Sequence, residues 1–162
     1  MKIYASTASH LPVLDRIMQT TDGPILELGI GMFSTPYLHW MCQDRGLEME
    51  SFEGDEKYYN YFRTFRSDTH KMTLVEDWDK IDIDKHWGLV LIDHEQKRRA
   101  LDAIRVAKWA DYVVIHDTDW KREKYYGLRK QGVFDHYKYR KDFNQFEPHT
   151  TVLSNIKNLN KL

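Results

Sequence analysis

Four apolar runs in this 162-residue chain end in residues able to hold a ligand or move a proton. Pro24-Ile25-Leu26-Glu27-Leu28 runs into Gly29-Ile30-Gly31, and a second run ends at Phe52-Glu53-Gly54. Trp87-Gly88-Leu89-Val90-Leu91-Ile92 ends at Asp93-His94, and Tyr112-Val113-Val114-Ile115 ends at His116-Asp117. Carboxylates accept hydrogen bonds from hydroxyls, and an imidazole titrates near neutral pH and so can take a proton. Gly29 and Gly31 can adopt backbone angles closed to other residues and hold no ligand away, so a ligand can lie against the main chain there. Glu53 stands where a carboxylate would accept both hydroxyls of a ribose, although it also reads as a solvated strand end.

The elements that must position these residues follow from apolar spacing. Residues 9–19 read as a helix with Ser9 as its cap and Val13, Leu14, Ile17 and Met18 on one face. Strands are expected at 24–29, 48–53 and 71–75, with a helix between the first two that is capped by Ser34 or Thr35, has Pro36 in its first turn and ends near Gly46. Asp55 caps a further helix that buries Tyr58, Tyr59, Phe62 and Phe65. The runs ending at Ile92 and Ile115 are continuous, as strands buried on both faces of a parallel sheet are. Helices are expected at 95–108, with Leu101, Ile104 and Ala107 inward, and at 121–129. Final strands are expected from Val133 through Tyr139 and over 150–153. Alternation of strands and helices implies one α/β domain over residues 1–162. Its architecture is a Rossmann-like, doubly wound, mostly parallel seven-stranded sheet with an antiparallel C-terminal edge pair. In such a sheet ligands bind at the carboxyl ends of the strands where the strand order reverses, which is where the polar residues lie.

The third glycine of a dinucleotide-binding G-x-G-x-x-G would fall at Ser34, so the nicotinamide form of the loop is not matched. What remains, Glu27-x-Gly29-x-Gly31 with Glu53 in register, resembles motif I of the class I S-adenosylmethionine (AdoMet) methyltransferases, and the resemblance runs from Pro24 to about Leu153. It implies AdoMet as cofactor, with Glu27, Gly29, Gly31, Phe52, Glu53, Gly54 and Asp93 around it. Asp77 and Trp78, after the third strand, would meet the adenine, though Trp78 reads equally well as packing. Leu91-Ile92-Asp93-His94 and Ile115-His116-Asp117-Thr118 look like the corresponding segments of the catechol-type O-methyltransferases, in which carboxylates and an amide at these positions hold a divalent cation. Asp93 and Asp117 match the two carboxylates, but Thr118 replaces the amide, and Gln96 stands where the family has its lysine, with Lys97 one step on. A divalent cation is therefore the less favoured expectation, and its ligands are left open. The favoured catalytic set is Asp93, His94, His116 and Asp117, facing one another across the transferred methyl group, with an imidazole taking the acceptor's proton. Each histidine also reads as an adenine contact or a second-layer hydrogen-bonding group.

Composition narrows the rest. Cys42 is the only cysteine, which excludes an intrachain disulfide and a cysteine-built zinc site. No apolar run reaches the ~20 residues that cross a bilayer, so a cytoplasmic protein without membrane partners is expected. Neither an Asn/Asp-Pro-Pro-aromatic element nor a Pro-Cys nucleophile is present, so the amino- and C5-methylating DNA enzymes do not fit. Residues 119–162 hold 10 Lys/Arg against 5 Asp/Glu, where residues 1–118 hold 14 against 20. That basic, aromatic-rich stretch reads as a solvated face or as a receiver for an anionic acceptor such as a nucleotide or RNA. Few residues lie outside the core elements, so the acceptor is expected to be a small molecule open to solvent, or a second subunit completes the site. O-methylation is the favoured activity. A non-catalytic AdoMet-binding partner subunit and an AdoMet-degrading lyase are the alternatives.

Overall fold

A computed structural model describes residues 5–162. Seven strands form one sheet in the order β3-β2-β1-β4-β5-β7-β6, with β1 Ile25–Leu28, β2 Met49–Glu53, β3 His70–Leu74, β4 Trp87–Ile92, β5 Ala110–His116, β6 Tyr139–Phe143 and β7 Thr150–Ser154. Every residue of β1 and β4 is buried, as continuous apolar runs demand when both faces of a sheet are covered. The five strands β1 to β5 are mutually parallel, and β7 inserts antiparallel between β5 and β6. The expected doubly wound sheet with an antiparallel C-terminal edge is thus the observed one.

Alternate residues of the central strands feed two cores. Leu26, Val90, Ile92 and Val113 pack with Ala100, Ala103 and Val106 of α4 (Arg99–Val106). Ile25, Leu89, Leu91 and Val114 pack with Val13, Leu14 and Ile17 of α1 (Leu11–Met18) and with Leu38 and Cys42 of α2 (Ser34–Arg45). Asp55 caps α3 (Glu56–Phe62) as expected, accepting hydrogen bonds from the N–H of Lys57 at 2.8 Å and of Tyr58 at 3.2 Å. Phe62 is the one residue of that helix fully buried.

Several local expectations change. The helix after β4 begins at Arg99, and Leu101 is 48% exposed, because the inward face carries Arg99 and Asp102, whose partners lie at the strand ends. Ser9 caps nothing: His10 is the N-cap of α1, and the Ser9 hydroxyl is spent on Pro148 and His116. Phe33, without a capping side chain, precedes α2, and the Thr35 hydroxyl turns back to the glycine loop. The helix expected at 121–129 is a single turn, α5 (Glu123–Tyr126), stopped by Gly127 at φ 61°. Val133–His136 is a 3-10 turn rather than a strand, entered through Gly132 at φ 68°, so the sheet resumes only at Tyr139.

Candidate functional site

The strand order reverses between β1 and β4, and a cleft of about 600 Å³ opens at their carboxyl ends. Its floor is Ile30 to Ser34, one wall is Glu53, Gly54, Asp55 and Tyr58 with Trp78, and the other is Asp93, His94 and Glu95. Thr7 and His10 reach over it from the N-terminal segment. The volume lies within the range of small-molecule sites, roughly 300–1,000 Å³.

Gly29 is held at φ 98°, and a Cβ there would lie 2.6 Å from the Asp93 carbonyl and the His94 nitrogen. Glycine is required by the approach of two strand ends, which brings the β4 turn against the loop. Glu53 locks the loop on the other side. Its carboxylate accepts from the Ile30 N–H at 2.8 Å and the Asp55 N–H at 2.7 Å. Burial raises its pKa, partly offset by the N–H groups of Asp55, Ile30 and Gly54.

Glu27 lies below this floor rather than in the cleft, fully buried. It accepts from the Thr35 hydroxyl at 3.0 Å and the Ser51 hydroxyl at 2.7 Å, while Thr35 accepts from the Gly31 N–H at 2.9 Å. Ser51 in turn meets His70 at 2.8 Å, and His70 meets His39 at 3.0 Å, giving a buried polar chain beneath the loop. Burial pushes the Glu27 carboxyl up to about 7, partly offset by these hydroxyls. The folded protein therefore binds a proton here that the unfolded chain releases near the ordinary carboxyl value of about 4.3. Stability from this group is full below that value and is lost as pH rises through 7. Glu27→Gln is expected to gain on the order of 3 kcal/mol relative to the parent between pH 4.5 and pH 8 in urea titrations. A pH-independent difference would show that the Glu27 carboxyl titrates in the folded protein as it does in the unfolded chain.

Phe52 and Asp77 lie off the cleft lining. Phe52 packs into the core, and Asp77 accepts from the Asp79 N–H at 3.0 Å to cap a 3-10 turn and pairs with Lys80 at 3.1 Å. Trp78 and Gly54 do line the cleft, and the Trp78 ring lies 4.5 Å from that of His94.

At the β4 and β5 ends, Asp93 and His116 are brought together, Oδ2 to Nδ1, at 3.2 Å. The other Asp93 oxygen pairs with Arg99 at 2.8 Å. Burial alone would raise the Asp93 carboxyl, but Arg99 and then His116 hold it well below the usual carboxylate range. His94 backs onto α4 and places Nε2 2.8 Å from Asp102. Burial lowers its pKa, partly offset by Asp102. Asp117, at φ 63°, is engaged by Arg99 at 3.2 Å, Arg122 at 3.2 Å and the Tyr126 hydroxyl at 2.8 Å, outside the cleft lining. The Thr118 hydroxyl meets that of Thr151 at 2.8 Å, and Lys97 lines a separate groove.

Two residues of this site had no signal in one dimension. Arg99 reaches Asp93, Asp117 and the main-chain oxygens of His94 (2.6 Å) and His116 (3.1 Å), stitching together two strand ends that are far apart in sequence. His10 is 2% exposed, lines the cleft, and places its ring 4.5 Å from that of His116. Neither His10 ring nitrogen has a hydrogen-bond partner. Burial, then His116, lowers its pKa to about 4, which holds it neutral at physiological pH.

Comparison with solved structures agrees with this topology. Cofactor-bound Rv0187 from MTB matches with a TM-score of 0.69 at 13% identity, covering 97% of this chain and 83% of that one. The O-methyltransferase from Bacillus cereus in complex with SAH matches with a TM-score of 0.69 at 14% identity, covering 94% and 82%. The METTL16 MTase domain matches with a TM-score of 0.67 at 11% identity, covering 97% and 70%. The chain has the class I methyltransferase fold. No protein-family profile matches the sequence, and no curated relative does. In the class I methyltransferase fold observed here, the glycine loop, Glu53 and the Asp93 turn all meet at the switch point, and no helix is long and apolar enough to cross a membrane among the described residues.

Proposed function

We propose that the chain is an AdoMet-dependent methyltransferase, a single domain over residues 1–162, with an oxygen of a small molecule as its favoured acceptor. The observation that supports it most is the cleft in which Glu53, fastened to the Ile30 N–H, faces the end where Asp93, His10 and His116 converge. That arrangement offers a ribose acceptor at one end and proton-handling groups at the other. Gly31 and Gly54 line the cleft without side chains, and Trp78 and Tyr58 give it an apolar wall, so the residues fit a nucleoside cofactor. When bound, AdoMet supplies a methyl already activated on a sulfonium. The protein's part is to align the acceptor for in-line attack and to accommodate the proton the acceptor oxygen loses. In this reading Asp93 and His116 orient that oxygen, while His94 and Asp117 act as positioning residues through Asp102, Arg99 and Tyr126. Glu27 and Gly29 shape the loop from below and behind, and Phe52 and Asp77 support the adenine side without lining it. A reducing, cytoplasmic location accords with Cys42, a buried free thiol.

A nucleotide or RNA acceptor is the second reading. A groove of about 910 Å³ beside α5 is lined by Lys97, Lys121, Lys124 and Lys130 together with Trp120, which is 75% exposed, and Tyr125. Cations around exposed aromatic faces suit phosphates and stacked bases.

Calorimetry with AdoMet, S-adenosylhomocysteine and NAD tests the cofactor. AdoMet and its demethylated product are expected to bind and NAD is not, and Glu53→Ala is expected to weaken AdoMet by roughly 1–3 kcal/mol. Preference for NAD, or an unchanged affinity in Glu53→Ala, would sink the assignment. Formation of S-adenosylhomocysteine with an acceptor marks transfer, whereas methylthioadenosine would mark a lyase.

A further inference from the structure

His10, Asp93 and His116 offer donor atoms that all lie within 4.8 Å of one another. The Ser9 hydroxyl has one proton, which it donates to the Pro148 carbonyl at 2.7 Å. In its 3.0 Å contact with His116 Nε2 it must therefore accept, so Nε2 carries a ring proton. Nδ1 faces the Asp93 carboxylate oxygen at 3.2 Å, and in a ring carrying that one proton it is a bare lone pair. Two acceptors in contact need a proton or a cation between them. His10, buried to 2% exposure with neither nitrogen partnered, places a ring nitrogen in the same cluster.

We propose that His10, Asp93 and His116 bind a first-row transition-metal dication at the inner end of the cleft, with positions left open toward the acceptor. A 3.2 Å separation between Nδ1 and Oδ2 matches adjacent ligands around an ion with bonds of about 2.1 Å. His10 offers its donor atom within 4.8 Å of the other two, and no hydrogen bond opposes a movement of its ring toward them. Ser9 supplies the supporting layer, receiving the proton on the far nitrogen of His116 as partners of metal-bound imidazoles do. Charge permits it: around the cluster the guanidiniums of Arg99 and Arg122 face the carboxylates of Asp93, Asp117 and Asp119, a net negative surround. Asp117 is not a ligand, because Arg99, Arg122 and Tyr126 engage its oxygens. Two imidazoles and one carboxylate select zinc, iron, cobalt, nickel or manganese over magnesium and calcium, which prefer oxygen sets.

The test reads metal binding directly, without AdoMet, so its result does not depend on whether the chain is a methyltransferase. Untagged protein stripped with chelator is titrated with Co²⁺ and followed by visible absorption, then competed with Zn²⁺ and with millimolar Mg²⁺. One equivalent of Co²⁺ with ligand-field bands is expected, displaced by Zn²⁺ and not by Mg²⁺. His10→Ala and Asp93→Asn, checked for folding by circular dichroism, are expected to lose binding at least tenfold. Ser9→Ala, which touches no ligand atom, is expected to lose about 10- to 100-fold. The proposal is overturned by the absence of saturable Co²⁺ uptake, by affinity kept within twofold in both His10→Ala and Ser9→Ala, or by Mg²⁺ displacing Co²⁺. It is also overturned if nitrogen NMR of stripped protein shows His116 protonated on both nitrogens and added Co²⁺ or Zn²⁺ leaves that signal unchanged, since a proton would then fill the gap.

Discussion

Gly29→Ala is expected to lower stability by roughly 2–5 kcal/mol, combining a left-handed backbone with overpacking of two strand ends. The added methyl would sit 2.6 Å from main-chain atoms of Asp93 and His94, and backbone in the middle of a sheet cannot give way as a flexible side chain can. Relief would require β1 and β4 to part at the point where the Asp93 N–H donates to the Leu28 carbonyl at 2.8 Å. Gly46 is the control, because it has φ 64° and a methyl added there would meet nothing within 4 Å, so Gly46→Ala bears backbone strain alone, about 1–2 kcal/mol. Urea denaturation of both variants separates the two effects. Equal losses would show that the strand ends yield easily and that Gly29 serves conformation only.

Arg99→Met is expected to cost about 3–5 kcal/mol, the penalty for leaving buried charges without their partner. Methionine keeps much of the stem's volume but abandons Asp93, Asp117, two main-chain carbonyls and the guanidinium's contact with the Tyr126 ring together. The pH dependence identifies the cause. Asp93 is held ionised by Arg99, so its contribution is present above the ordinary carboxyl value of about 3.9 and is lost as pH falls below it. The gap between parent and Arg99→Met should therefore narrow below about pH 4. Asp93→Asn in the Arg99→Met background should recover part of the loss, because an amide needs no counter-ion. A gap constant with pH and no recovery would mean that Arg99 acts through packing.

Local chemistry was legible wherever an element is specified by its own residues. The runs ending at Leu28 and Ile92 could only be strands buried on both faces, and Asp55 had to cap α3 because its carboxylate is the nearest acceptor for the first-turn N–H groups. Alternation then implied the doubly wound sheet, since right-handed crossovers leave few other arrangements. Elements specified by what lies against them were not legible. Leu101 has the spacing of a buried residue, yet α4 turns Asp102 and Arg99 inward because His94 and Asp93 wait there. Val133 and Phe134 have strand propensity, yet Gly132 and the pocket beside α4 favour a 3-10 turn.

The same division runs through the site. Residue type and spacing alone placed Gly29, Gly31, Glu53 and Asp93 at strand ends, because the end of a buried run is a local property of the chain. Which of the polar ends face one another was decided only by tertiary packing: Asp93 and His116 meet, whereas His94 and Asp117 are drawn off by Asp102 and by Arg99, Arg122 and Tyr126. His10 shows the limit most plainly. It is separated from Asp93 by 83 positions, and it arrives at the cleft because α1 must cover the apolar face of β1 and β4, a requirement set by the sheet and not by the residues around His10.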